Sequence, residues 1–429
     1  MPRARGSVAR AATLAFAVAG VLAHGTALAT PLESVVRAAL ADYPTIRAAQ
    51  ANRSVGMFRV EQEKARHLPV FDVNATGRVS GTAVSEPLPR ARVNLWASGA
   101  IDAAVDREAQ REASLALRET VTREDVAFAV TQAYLRVLRA YRLVKVSEAN
   151  LARHERLVAN FQEIVGIDPG RRFDLVQAQS RAQLVRATLE DRQAELQTAR
   201  EALARFTFET LVADSLTLPD ARALPPDAIE AVATEDHPAV AAARRDLLSA
   251  EANARATRLN RLPRLDFEAT GGRDPLSQVV LIWPAFDARL SAVERGAAAE
   301  QIGAEATLQD TELAVLEARR QAAADFASAS RRLDQARSQL ALATELVTIY
   351  YDQVRVGRRS LLDLLTAYVE LAAAESNIAG LQVDQVLARF RMAYAAGRLV
   401  PLFDGRVAAL PLLPAPPPAV VPPFASGPR

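Results

Sequence analysis

The residues able to do acid–base, nucleophilic or metal chemistry are few in this sequence and poorly placed for it. The 429-residue chain has no cysteine, which excludes disulfides, thiolate metal sites and a lipidated N-terminal Cys. Its four histidines, His24, His67, His154 and His237, are widely scattered. No Ser-His-Asp or Cys-His constellation, phosphate-cradling glycine loop or metal-ligand spacing is present. Carboxylates are abundant, but the 50 acidic residues are matched by 52 basic ones and lie on solvated helical faces. The sequence therefore predicts no catalytic residue, no cofactor and no metal. A net charge of +2 spread evenly along the chain does not suggest nucleic-acid binding, despite a pI near 9.1. His67, beside Leu68-Pro69, reads as a solvated residue at a helix end rather than a pH sensor.

With chemistry set aside, the composition points to long helices. Half of the residues are apolar, yet only 5% are aromatic and about a fifth are alanine. Alanine favours helix and close helix packing, but it cannot fill a thick core. Nearly all the positive charge is arginine, Lys64 and Lys145 being the only lysines. At the front, Arg3, Arg5 and Arg10, the apolar run Ala11–Ala23 and Ala27-Leu28-Ala29 have the form of a cleavable secretory signal over residues 1–29. No later run of 18 apolar residues offers a transmembrane helix. The exported chain is then soluble or inserted as β-strands, the other structure a bilayer accepts.

The chain also repeats itself. Asp42-Tyr43-Pro44 recurs as Asp236-His237-Pro238, and Leu68-Pro69 as Leu262-Pro263, each 194 residues later. Trp96 and Gly170-Arg171-Arg172 recur as Trp283 and Gly357-Arg358-Arg359, each 187 residues later. Residues 30–217 and 218–400 are accordingly read as two copies of one plan, with Pro219–Pro226 between them. A Pro-rich tail, 401–429, is expected to be extended or disordered.

Each copy contains a long helical rod. Ala100–Val165 has no Gly or Pro, and Val130, Tyr134, Val137, Tyr141 and Val144 step at intervals of four and three. After a miss at Glu148 the stripe resumes with Leu151, Val158, Phe161 and Val165. In the second copy it runs from Phe326 through Leu333, Leu340 and Val347 to Val354. A sustained 3.5-residue period means coiled-coil packing, and 66 residues make a rod of roughly 99 Å. Each rod ends near a Gly-Arg-Arg turn and a second helical stretch follows, Arg171–Phe206 and Ser360–Ala395, so two antiparallel helical hairpins are expected. Before each rod comes a strand pair. Phe71–Ser80 and Leu265–Gly271 alternate apolar and polar residues, and Arg90–Trp96 and Gln278–Trp283 return. Two short hairpins cannot bury their apolar faces alone. Trp96 and Trp283 are read as core packing at the strand-to-helix bend in preference to interfacial anchors.

Signal, helix with an internal Asp-x-Pro, strand hairpin, long helix, Gly turn and long helix, then all of it again, resembles the outer membrane efflux protein family, the TolC-type channel-tunnels. The most specific stretches are Pro169–Ala178 and Val354–Leu365, which are similar to that family's two periplasmic hairpin tips. The resemblance implies a mainly helical fold with membrane β-structure: a homotrimer whose long antiparallel coiled-coil helices form an α-barrel. Each copy would give four strands to a shared 12-stranded barrel in outer-membrane lipid. It implies passive exit through the outer membrane, with a periplasmic adaptor (membrane fusion) protein and an inner-membrane transporter as partners, in a tripartite efflux pump or type I secretion system. By position, Asp174 and Arg359 correspond to an acid and a base of the closed gate, and Asp363 to an acid of the constriction. Gly170, Arg171, Arg172, Gly357 and Arg358 correspond to adaptor-docking tips. The family's Tyr before the second tip glycine is Val354 here, and a second constriction acid is Thr366. A simpler reading has Asp174 and Asp363 serving the first turns of their helices. The alternative to a channel is an exported coiled-coil scaffold or adhesin without a pore.

Overall fold

The computed structural model describes residues 32–74, 88–207, 216–219, 233–272 and 274–403. The expected signal, the end of the first strand beyond Asn74, most of the turn after it, most of the Pro219–Pro226 linker and the tail from residue 404 lie outside the described residues. In chain order the elements begin with α1 (Leu32–Asp42), α2 (Pro44–Lys64), β1 (Val70–Asn74) and β2 (Leu88–Trp96). The first hairpin is α3 (Ala100–Ile167) and α4 (Arg172–Thr207). The second half has α5 (Pro238–Leu259), β3 (Arg264–Thr270), β4 (Leu276–Ile282), α6 (Ala288–Arg355), α7 (Leu361–Ala395) and α8 (Leu399–Phe403).

The two rods, α3 and α6, are 68 residues each, about 100 Å long. Every residue of both 3.5-period stripes is buried or half-buried, so the sequence pattern marks the packed seam. The shorter helices stack end to end alongside the rods. Near the sheet α3 lies between α2 and α5, and further along it lies between α4 and α7; α6 packs on the far side of α5 and α7. The long helices thus form one layer in the order α2 and α4, α3, α5 and α7, α6, with α1 and α8 packed against α3. The Asp-x-Pro motif, expected inside a helix, instead opens one: Pro44 and Pro238 are the first residues of α2 and α5. Proline has no N–H to lose at that position, and in a helix interior it would break the ladder.

Where α7 ends, α5 begins. Gly397 stops α7 with φ +66°, and the Gly397 and Arg398 amides donate to the Tyr394 and Ala393 carbonyls at 2.8 and 2.9 Å. This double closure requires a left-handed residue. A Cβ on Gly397 would also sit 2.5 Å from Pro238 Cδ.

The main apolar core lies midway along α3. There Val36, Ile46, Val130, Tyr134, Leu203, Phe390, Leu399 and Phe403 bring α1, α2, α4, α7 and α8 together. Tyr134 Oη accepts from the Thr217 amide and donates to the Thr217 carbonyl, both at 2.9 Å. Glu124, 3% exposed, accepts the Leu399 and Val400 amides at 2.8 and 3.0 Å and so caps α8. Burial pushes its carboxyl up to about 7, against the opposing pull of those two amides.

The four strands form one antiparallel sheet in the order β1-β2-β3-β4. Register places Asp72, Arg90, Arg92, Asn94, Asp266, Glu268 and Gln278 on one face. Phe71, Val73, Ala91, Val93, Phe267, Val279 and Leu281 occupy the other. Arg92 pairs with Glu268 at 3.0 Å and Asn94 donates to Asp266 at 2.7 Å across the polar face. β4 departs from clean alternation, since Val280 and Ile282 stand on the polar face.

Two outcomes test this packing by denaturation. Gly397→Ala is expected to destabilise by about 1–3 kcal/mol, because a non-Gly residue is strained at this φ. Gly303→Ala, in the middle of α6 with nothing within 4 Å, is expected to stabilise by about 0.5–1 kcal/mol. For Glu124 the native state binds its proton more tightly than the unfolded chain. Its contribution to stability is therefore largest below about 4.5 and declines as pH rises to about 7. Glu124→Gln should flatten that part of a stability-versus-pH series while lowering stability overall, by leaving one amide without an acceptor.

Candidate functional site

The two hairpin tips and the sheet are where the chain presents groups that its own packing does not consume. The tips close in different ways although their sequences match. In the first, Asp168 Oδ1 accepts the Gly170 amide at 3.0 Å and a 3-10 turn over Pro169–Arg171 leads into α4. In the second, Gly357 takes φ +73°, and the Gly357 and Arg358 amides donate to Val354 and Gln353 carbonyls at 3.1 and 2.8 Å. Ser360 Oγ then caps α7, accepting the Asp363 amide at 3.2 Å.

Both tips nonetheless arrive at one arrangement. An arginine at the turn lies over an aromatic ring of the incoming helix and pairs with an aspartate in the first turn of the outgoing one. Arg171 pairs with Asp174 at 2.9 Å and lies 5.2 Å from the Phe161 ring. Arg359 pairs with Asp363 at 3.2 Å and lies 3.6 Å from the Tyr350 ring. Asp174 and Arg359 do not pair with one another within the chain. Each has a partner three or four residues away, which needs no further chain ordering, and each aspartate also meets the positive end of its helix. The pairs are part-exposed, so each is worth only about 0.3–0.5 kcal/mol. Gly170, Arg172, Gly357 and Arg358 are exposed, with Ile167, Phe173 and Val356 exposed among them. Behind the turns the two hairpins share one apolar cluster: Leu157 and Phe161 of α3, Ala178 of α4, Val354 of α6, and Leu361, Leu364, Leu365 and Tyr368 of α7.

At the sheet, the expectation that Trp96 and Trp283 pack in a core is overturned: they are 54% and 62% exposed. The physical reason is a β-bulge. Asn94 pairs with Asp266 but Trp96 pairs with Leu265, so Leu95 is an extra residue and Trp96 turns from the polar to the apolar face. Trp283 follows Leu281 on that face, which no other element among the described residues covers. Phe71, Val73 and Leu281 are exposed with them.

Four buried carboxyl, imidazole or guanidinium groups among the described residues had no role in the sequence reading: Glu108, Glu124, His154 and Arg389. His154, 2% exposed, had a signal: it occupies the stripe position between Leu151 and Val158 that the apolar pattern skips. His67 is exposed and lies 3.3 Å from Asp102. Among the described residues no group of three or more His, Cys, Asp or Glu could hold a metal ion, and no helix is long and apolar enough to cross a membrane.

Rods of equal length joined at one end by tips and at the other by a small antiparallel sheet define the channel-tunnel fold of outer-membrane efflux proteins. The sequence matches no family model and no curated protein. Its solved structural relatives include the outer membrane protein VceC of Vibrio cholerae, at TM-score 0.71 and 17% identity over 86% of this chain and 96% of that one. The open state of the Neisseria gonorrhoeae MtrE outer membrane channel gives 0.73 and 18%, over 86% and 89%. The Campylobacter jejuni CmeC outer membrane channel gives 0.73 and 15%, over 86% of each. At such identities the likeness is one of fold.

The tip arrangement predicts that Arg359→Ala loses both the Asp363 pair and the Tyr350 contact, about 1 kcal/mol together. Amide exchange across 357–363 should then quicken about fivefold, while Arg358→Ala leaves it unchanged.

Proposed function

We propose that this protein is an outer-membrane channel-tunnel, a passive exit duct rather than an enzyme. The observation that carries the reading is that both layers of the molecule stop at unpartnered edges. The sheet ends at β1 and β4 with free ladder groups, and the helix layer ends at α2 and α4 on one side and at α6 on the other. Those end helices carry apolar residues that the chain leaves exposed: Val55, Met57 and Phe58 of α2, Leu184 of α4, and Ile302, Leu313 and Leu342 of α6. The edges are unlike one another, so copies would join head to tail and close as a ring. Closure removes both strand edges, as a barrel does. Three copies would give 12 strands, with the apolar face and its tryptophans toward lipid and the polar face lining a lumen.

In this reading residues 32–403 hang from the outer membrane into the periplasm on an exported chain, organised as two copies of one plan. The tips point toward the inner membrane. Asp174, Arg359 and Asp363 then belong to the gate, where the local pairs Arg171–Asp174 and Arg359–Asp363 could be exchanged for pairs between protomers. Three copies of Asp363 around the axis would favour cations. Gly170, Arg171, Arg172, Gly357 and Arg358, with the exposed apolar residues beside them, would receive a periplasmic adaptor. An inner-membrane transporter would supply the substrate, in a tripartite pump or type I secretion system. The likeness to efflux channels supports the pump.

Extraction of expressed membranes with mild detergent, followed by native mass measurement, tests this directly. The expected result is a particle of three mature chains recovered from the outer-membrane fraction. A soluble periplasmic monomer or dimer would overturn it in favour of a pore-free scaffold.

A further inference from the structure

The seam between the two hairpins changes character at one level. Below it, toward the tips, the shared cluster around Leu157, Phe161, Leu364 and Leu365 is apolar apart from its tyrosines, Tyr368 within it and Tyr350 and Tyr351 against it. Above it α3 and α7 share the apolar residues Val383, Val386 and Phe390 of the main core and are joined as well by polar pairs, Arg139 with Asp384 at 2.9 Å and Arg142 with Gln382 at 2.6 Å. At the boundary sits His154, in a stripe position where every neighbouring step is apolar, its ring edge-on to Tyr368 at 5.3 Å. Among the described residues seven buried side-chain polar atoms lack a hydrogen-bond partner. Three of them, Asn150 Oδ1, Arg153 Nε and His154 Nε2, lie on this one turn of α3. Polar satisfaction therefore fails here more than elsewhere in the chain.

The tautomer follows from the bonding. His154 Nδ1 lies 3.0 Å from the Asn150 carbonyl, so Nδ1 carries the hydrogen and donates, and Nε2 is the bare nitrogen. A second proton would go to Nε2, where there is no acceptor. The groups facing it offer no compensation. On α3, Arg153 is positive and holds the Glu375 carboxylate of α7 through both terminal nitrogens, one at 2.8 Å; Arg156 is positive as well. From α4 comes Arg181, also positive. Tyr368 of α7 is a neutral phenol pushed up to about 12 by burial. Tyr351 of α6 already accepts from Asn160 Nδ2 at 3.0 Å. Protonation thus places a cation without an acceptor in a buried layer beside arginines, a costly arrangement.

We propose that His154 is a proton-sensitive pin: neutral, it completes the seam that holds the two hairpins together, and protonated, it loosens their tip ends. Burial lowers the imidazole from its ordinary value; the Asn150 carbonyl contact opposes it, and Arg153 and Arg181 add smaller pushes in the same direction as burial. The sign follows. The unfolded or loosened chain takes up the proton near pH 6.5 and the packed chain only below that. The pin's contribution is full above about pH 6.5 and is lost as pH falls toward the depressed value. The consequence for gating rests on the channel reading; the loosening itself does not.

The test uses the purified full chain and amide exchange corrected for intrinsic rates. Between pH 7.5 and 5.5, exchange over 157–178 and 354–368 should rise several-fold in the native protein and stay flat in His154→Phe, which keeps a ring against Tyr368 but cannot titrate. Arg181→Gln, which removes a facing cation, should move the native midpoint to higher pH, a shift that a merely structural residue would not give. Equal acid responses in native protein and His154→Phe, or no native response, would overturn the pin. Closed-state conductance in planar bilayers, read in parallel, should rise with acid in the native protein. A retained exchange response in a protein that forms no channel would count against the channel reading and leave the pin standing.

Discussion

The structure depends on one constraint: a wall a single helix thick has no inside. Two 68-residue rods and the shorter helices stacked beside them form one layer, so each helix is buried along its seams and exposed on the remaining faces, except midway along α3 where α1 and α8 cover it. Elsewhere a 3.5-residue repeat provides the burial such a layer can have, and small side chains let the axes approach without bulk that would need a second layer to cover it. This is why alanine replaces aromatic residues through most of the chain. It is also why the edge helices retain exposed apolar residues, since no further helix of the described residues covers them.

The two halves carry rods of matched length, and they solve their local problems separately. The first tip ends its rod with an aspartate-capped 3-10 turn, the second with a left-handed glycine. Both still bring an arginine between an aromatic ring and a first-turn aspartate. The helix junctions differ too. Tyr43, preceding the first proline, packs on Phe206 at 5.2 Å, whereas His237 at the matching position accepts the Ala239 amide at 3.2 Å. Its imidazole is lowered by burial, and Gly397 leaves it room. The same plan therefore holds one junction by aromatic contact and the other by a cap and close backbone approach.

Polar groups in this framework fall into two kinds. Glu124 is buried but fully used, since two amides of α8 converge on its carboxylate and fasten the end of the described chain to the middle of α3. His154 and its neighbours are buried and incompletely used, between the apolar cluster of the tips and the polar pairs that flank the core above. The sheet follows a third logic: its polar face satisfies itself by cross-strand pairs such as Arg92–Glu268, and its apolar face is left for surroundings outside the chain.

The sequence by itself determined the helical rods, the placement of both tips, the strand alternation and the absence of catalytic motifs. Each is a local or periodic property: a stripe of period 3.5, a glycine at a turn, alternation of period two. Tertiary structure decided what period cannot express. Asp174 and Arg359 each found a partner within four residues rather than each other, because a short-range pair needs no additional ordering. The Asp-x-Pro motif opened helices instead of interrupting one, since the neighbouring helix end lies against it. Trp96 faces outward because one bulged residue, Leu95, reverses the side on which it emerges, and β-propensity carries no sign of that. Glu124 reads in the sequence as an ordinary member of a charged, solvated helix, and His154 is marked there only by its place in the apolar stripe. Their burial arises only where distant segments, α8 for one and α7 for the other, close over them.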